Sequence, residues 1–258
     1  MLGCCCFEIF NHNFSKPILE PLPVCREKLL LSREKITELG KRVKSGKGVI
    51  HNNRNQNFIT HSLGWIMQNV IEQAAEFLQA KVRKPPVSEA VVEALIETEK
   101  TAKQTKINYS YSQLLGNWRL GFITGTKKTR KGTGVVLGAG KFLPKLVKIQ
   151  LSYSQLKDSP EKGNVENSVE LGLFKIILTG PVQFWSKKNI LAFDFTQMRL
   201  CLSGLKLYQG YIRGGKDREK SFDKQTLKQQ AFFTYFLVED SYIAARGRGG
   251  GLALWVRC

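Results

Sequence analysis

Acidic residues are missing from a long central part of the chain. Between Lys100 and Lys157 there is no aspartate or glutamate, yet Lys127, Lys128, Arg130, Lys131, Lys141, Lys145 and Lys148 all fall there. Paired carboxylates for acid–base chemistry cannot come from this segment. Histidine is scarce as well: His12, His51 and His61 all lie in the N-terminal third. That excludes a Ser-His-Asp device built within the C-terminal half. The six cysteines (4, 5, 6, 25, 201 and 258) include three in a row and no CxxC pair. This argues against a disulfide framework and a zinc site, and fits a reducing compartment. No stretch approaches the roughly 18–20 apolar residues that span a bilayer. The opening "MLGCCCFEIF" has no basic n-region and no A-x-A site follows, so a secreted protein is not expected. The glycine-rich "GTGVVLGAGK" (132–141) is not GxxxxGK[ST] and does not join a strand to a helix. These absences point to a protein that is not an enzyme, holds no metal and requires no cofactor.

What is present is a strong positive charge on a globular composition. The 258 residues are 42% hydrophobic and 24% charged, with a formal net charge of +19. A real core is expected, in one or two domains. The charge favours anionic partners: nucleic acid, acidic proteins or anionic lipid headgroups. The basic cluster Lys127, Lys128, Arg130 and Lys131 is the candidate contact for an anionic membrane surface, engaged peripherally.

The chain changes character near residue 105. Before it, apolar residues recur at helical spacing. "REKLLLSREKITELGKRVKSGKG" (26–48) has Leu29, Leu30, Ile36, Leu39 and Val43 on roughly one face. "SLGWIMQNVIEQAAEFLQAKVRK" (62–84) has Ile66, Val70, Ile71, Ala74, Phe77 and Leu78, and Pro85-Pro86 stops it. A third helix starts near Ser88, a candidate N-cap. After residue 105 the period becomes two. "LVKIQLSYSQL" sets Val147, Ile149, Leu151 and Tyr153 against Lys148, Gln150, Ser152 and Ser154, and "LLGNWRLGFITG" places Trp118, Leu120 and Phe122 on one side. About seven to nine short antiparallel strands separated by Gly, Pro, Asp and Asn clusters predict a closed or nearly closed barrel. The expected class is mainly β with N-terminal helices (α+β): a lipocalin-like antiparallel barrel preceded by about three helices. The expected division is 1–60, an extension with a basic helix; 61–105, a helical layer; and 106–258, the barrel.

Two local features bear on how such a barrel closes. Gly116-Asn117-Trp118 opens the β half; glycine allows a tight entry and the indole can cover one end of the core. An arginine from the last strands commonly stacks on such an indole. Arg246, followed by Gly247, is the first candidate and Arg257 the second. Gly116, Trp118, Arg246 and Gly247 are thus the expected closure residues. In "YIAARGRGGGLALWVRC" (242–258) apolar residues flank the glycines on both sides, so a turn between two strands fits better than a basic tail, with Arg248 facing solvent.

Three stretches together resemble the plastid lipid-associated proteins, or fibrillins, of plants, algae and cyanobacteria. They are "LLGNWRLGFITG", through Leu114, Leu115, Trp118 and Leu120; "GNVENSVEL", through Asn167 and Val169; and "DSYIAARGRGGGLALWVR", through Ile243, Arg246, Gly247, Gly250 or Gly251, Leu252 and Leu254. The likeness covers about residues 88–258. Phe122–Gly125, Tyr242 and Ala253 depart from the usual pattern. The resemblance implies a lipocalin-like barrel at thylakoids or lipid globules of a photosynthetic organism, and a role with carotenoids, quinones or other prenyl lipids in photoprotection. The location it implies is thylakoid-associated or cytoplasmic in a cyanobacterium, or the plastid in a eukaryote.

The leading functional expectation is therefore non-catalytic binding of an apolar lipid, carotenoid or prenyl quinone inside the barrel. Phe122, Ile149, Leu151, Tyr153, Phe193 and Phe195 are the candidate contacts. The alternative is a basic nucleic-acid-binding module. Against it, the aromatics alternate within strands, where burial is expected, and the Arg-Gly string occurs once and is not repeated.

Overall fold

The computed structural model describes residues 69–125, 140–212 and 214–258. The expected basic helix of the N-terminal extension and the cluster Lys127, Lys128, Arg130 and Lys131 lie outside them. Residues 69–78 form helix α1. It buries Ile71, Ala74, Ala75 and Leu78, the spacing of one helical face. Helix α2, Ser88–Thr105, follows the Pro85-Pro86 break. Val87 occupies its N-cap position with no side-chain bond, so Ser88 lies one residue inside the expected cap. A single turn, α3 (Tyr111–Leu114), is held by a capping box between Ser110 and Gln113.

Among the described residues eleven strands follow: β1 Gly116–Thr124, β2 Gly140–Phe142, β3 Val147–Leu156, β4 Ser159–Leu171, β5 Phe174–Trp185, β6 Ile190–Phe193, β7 Gln197–Leu202, β8 Leu205–Tyr211, β9 Ala231–Val238, β10 Tyr242–Gly247 and β11 Leu252–Arg257. Eight of them close a ring in the order β4-β3-β1-β11-β10-β9-β6-β5, and the β4–β5 pairing completes it. All the ring pairings are antiparallel. The expected barrel is present; three strands stand outside the ring. β2 pairs on β1. β7 and β8 extend from β5, whose Phe174–Thr179 half pairs with β7 while Val182–Trp185 pairs with β6. A short helix, α4 (Gly215–Ser221), lies in the β8–β9 connection.

The apolar residues divide into two cores. One fills the barrel and includes Trp118, Leu120, Ile149, Leu151, Tyr153, Phe184, Tyr235 and Trp255. The other lies outside the wall, where α1 and α2 cover β1, β9, β10 and β11. It includes Val91, Leu95, Phe236, Tyr242, Ala244 and Leu254. Strands β10 and β11 thus bury both faces, which explains why "YIAA" and "LALWV" read as unbroken apolar runs.

Phe122 belongs to this outer core and not to the barrel interior. The expected phase of β1 fails at one residue. Leu120 stands opposite Trp255 and Phe122 opposite Leu254, with a bulge between them at Gly121. A bulge adds one residue and turns every following side chain to the other face. Gly121 makes room for α1 there: a Cβ would sit 2.3 Å from Leu78 Cδ1, which would have to shift.

Candidate functional site

One end of the barrel is sealed from the residues around Gly116. Its φ is +110°, and a Cβ on it would meet Arg257 Nη1 at 2.7 Å, so only glycine serves well here. Trp118 is fully buried, and its Nε1–H donates to the Leu114 carbonyl of α3 at 2.7 Å. The Arg257 guanidinium stacks over the indole, 4.1 Å from the ring centroid, because Trp118 and Arg257 are cross-strand partners. Arg257 also donates to the carbonyls of Asp240 at 2.5 Å and Leu115 at 3.2 Å. Tyr111 of α3 stacks on Phe184 and donates from its hydroxyl to the Ser154 carbonyl at 3.1 Å. Outside this seal lies an open cleft of about 580 Å³, lined by Tyr109, Tyr111, Gln155, Glu161 and Lys162 among others.

Arg246, the first sequence candidate for the Trp118 position, is elsewhere; the second candidate, Arg257, takes it. Arg246 crosses from β10 to α2 and donates from Nε to Glu99 Oε1 and Oε2 at 2.8 and 2.9 Å. Its Nη2 also reaches Glu99, and Nη1 donates to the Gly250 carbonyl at 2.6 Å. Lys103 adds a 2.8 Å contact to the same carboxylate. Glu99 is 5% exposed. Burial alone would raise its pKa, but hydrogen bonds and charge from Arg246 and Lys103 outweigh this and hold it below the ordinary carboxylate value. The string Arg246–Gly251 ends β10 and makes the turn into β11: Gly247 N–H donates to the Gly251 carbonyl at 2.9 Å, and Gly250 has φ +85°. Arg248 is exposed but not idle. It donates to the carbonyls of Gln230 and Lys228 at 2.8 and 2.6 Å.

The opposite end carries half-buried apolar side chains that pack on the interior core: Ile123, Leu143, Val169, Phe195, Ala231 and Phe233. A file of rings leads inward from this rim. Phe195 lies 5.3 Å from Phe193, Phe193 lies 5.1 Å from Phe233, and Phe233 lies 5.4 Å from Trp255. Of the ligand-contact candidates, Ile149, Leu151, Tyr153 and Phe193 are in the interior core and Phe195 is at its margin.

Polar groups inside are few. The hydroxyls of Tyr153 and Tyr235 bond to each other at 2.8 Å, and burial pushes both phenols well above their usual pKa. Asn167 faces Leu151 across β3–β4 and Leu178 across β4–β5. It lies two residues from both Val165, in the interior core, and Val169, packed against that core, and this period places its side chain on the same interior face. It is nine-tenths buried, and its Oδ1 has no hydrogen-bond partner. Such groups are uncommon in native interiors and call for a reason. The sequence marked Asn167 only through the family resemblance; its inward direction follows from the alternation of β4.

No family model and no curated protein matches the chain. Among solved structures, the chain is similar to one described as "Structure of EF1p2_mFAP2b bound to DFHBI", at 11% identity. The match covers 58% of this chain and 97% of that one, with a TM-score of 0.27.

Proposed function

We propose that this protein is a non-catalytic carrier that holds an apolar small molecule in its barrel. The observation that carries this reading is the asymmetry of the two ends. One is sealed by Trp118, Arg257 and α3, and the other presents a half-buried apolar rim continuous with the interior core. An interior lined mostly by apolar side chains with a few polar groups suits small hydrophobic ligands. The resemblance to the plastid lipid-associated proteins supports a carotenoid, prenyl quinone or other prenyl lipid as the ligand, and a thylakoid or lipid-globule surface as the place of work. The net charge of +19 supports an anionic lipid surface as the second partner. Among the described residues no helix is long and apolar enough to cross a membrane.

The test is to purify the protein natively, extract it with organic solvent and identify what it carried by mass spectrometry. A stoichiometric pigment, quinone or lipid is the expected result. Failure to retain any apolar molecule, together with failure to bind β-carotene or geranylgeraniol when offered, would overturn the reading.

A further inference from the structure

The interior face of the barrel does not stop at its rim. The outer halves of β3, β4 and β5, with β7 and β8 paired onto β5, form an apron beyond the ring, and their registers align the side chains in rows. Leu151, Asn167 and Leu178 form a row inside the barrel. The next row out is Ile149, Val169, Ile176 and Leu200. The last is Val147, Leu171, Phe174, Leu202 and Leu205. Because side chains alternate along each strand, all three rows lie on one face. An apolar track therefore runs from the barrel interior to the edge of the apron.

At that edge three tips meet: the entry to β3, the β4–β5 turn and the β7–β8 turn. Ser203 N–H donates to the Leu173 carbonyl at 2.8 Å, which ties two of them together. Large apolar side chains stand in water there. Leu146 is 83% exposed, Leu173 67%, Phe174 55% and Leu205 71%. A cluster of this kind marks a contact surface. Its charge indicates the partner. Residues 145–148, 170–175 and 201–208 carry four lysines, Lys145, Lys148, Lys175 and Lys206, against one acid, Glu170. Lys148 and Lys175 flank Glu170 at 3.1 and 4.0 Å, while Lys145 and Lys206 are exposed. Apolar tips rimmed by lysines match a lipid interface, where the side chains enter the acyl region and the ammonium groups meet anionic headgroups.

We infer that the tips carrying Leu146, Leu173, Phe174 and Leu205 dock the protein on an anionic lipid surface, and that the apolar face behind them is the path by which ligand passes between that surface and the barrel. The path rests on the carrier function proposed above; the docking does not. It adds these tips to the cluster Lys127, Lys128, Arg130 and Lys131 expected from sequence, which lies outside the described residues.

The test compares the full chain with its Leu173→Asp/Leu205→Asp variant. Both positions are exposed, so unchanged circular dichroism and thermal unfolding are expected. Flotation is measured with vesicles of phosphatidylcholine containing one-third phosphatidylglycerol, and uptake with the same vesicles loaded with geranylgeraniol. Binding of geranylgeraniol added from ethanol is the control. The variant should lose about a hundredfold in vesicle affinity, and its uptake from vesicles should fall with it, while binding from ethanol stays intact. Lys145→Glu/Lys206→Glu should weaken flotation on the anionic vesicles and leave weak binding to pure phosphatidylcholine unchanged. Wild-type flotation by the leucine variant would overturn the docking site. So would a wild-type protein that ignores vesicles but self-associates through these tips, as shown by a change in its elution volume in the variant. If the wild type floats but takes up geranylgeraniol from neither source, docking stands and the carrier function and its path both fall.

Discussion

At the scale of single residues, the two arginines near the C-terminus divide the structural work differently from what their sequence positions suggest. Arg246 fixes helix α2 to the barrel wall through Glu99, and Arg257 covers the Trp118 seal. Removing one partner of a buried ion pair leaves the other charged and poorly solvated, which costs about 3–5 kcal/mol when both are deeply buried. Arg246 keeps about a third of its side chain in water, so Arg246→Ala is expected to cost less, about 2–3 kcal/mol in chemical denaturation. Arg248→Ala removes one exposed and one half-buried bond to carbonyls and should cost about 1 kcal/mol. Acid should reproduce the Arg246 defect. Glu99 has a depressed folded pKa, so its contribution is complete above the unfolded glutamate value of about 4.3 and is lost as pH falls below it towards the folded value. The wild type should therefore lose stability faster than a Glu99→Gln/Arg246→Met variant as pH falls below that value. Parallel pH profiles would show that the pair contributes nothing. Inside the barrel, the hydroxyl pair Tyr153–Tyr235 behaves as a unit. Tyr153→Phe leaves a buried hydroxyl without a partner and should cost about 1–2 kcal/mol, whereas Tyr153→Phe/Tyr235→Phe should come close to neutral. Additive losses in that double-mutant cycle would contradict the pairing.

At the scale of elements, the alternation of β3 and the helical stripe of α1 were legible because each element buries one face at a constant period. Residues Val147, Ile149, Leu151 and Tyr153 all lie where their spacing puts them. Strand β1 broke the pattern because a period cannot announce a bulge. Gly121 shifts the phase by one, and Phe122 leaves the interior for the helix layer. The reason is non-local: Leu78 of α1, 43 positions earlier in the sequence, needs the space a Cβ would fill. The arginine partners were hidden for the same kind of reason. Glu99 and Arg246 are 147 residues apart and meet only when α2 lies across β10. The apron was hidden too, since β5 reads as one strand although its two halves have different neighbours. The bulge gives a direct test. Gly121→Ala should destabilise by about 1–3 kcal/mol through the clash with Leu78, and Gly121→Ala/Leu78→Ala should recover part of that loss relative to the sum of the single changes. A Gly121→Ala protein as stable as the wild type would mean that α1 does not press on β1 there.

At the scale of the whole molecule, stability and binding should pull in opposite directions at Asn167. An amide oxygen buried without a donor costs the empty protein its desolvation energy, and the core around it is mostly apolar, with the hydroxyls of Tyr111, Tyr153 and Tyr235 already bonded. Leucine has nearly the same branched shape as asparagine and no polar atoms. Asn167→Leu should therefore stabilise the ligand-free barrel by about 1–2 kcal/mol, seen as a higher melting temperature. A carrier gains from keeping the asparagine only if the bound molecule supplies the missing donor. The substitution should thus weaken binding of geranylgeraniol, which has a hydroxyl, by roughly tenfold, and leave binding of the hydrocarbon β-carotene unchanged. An equal loss for both molecules would make Asn167 a shape contact. A loss for neither would place the ligand away from β4, in the half of the barrel lined by Phe193, Phe233 and Trp255.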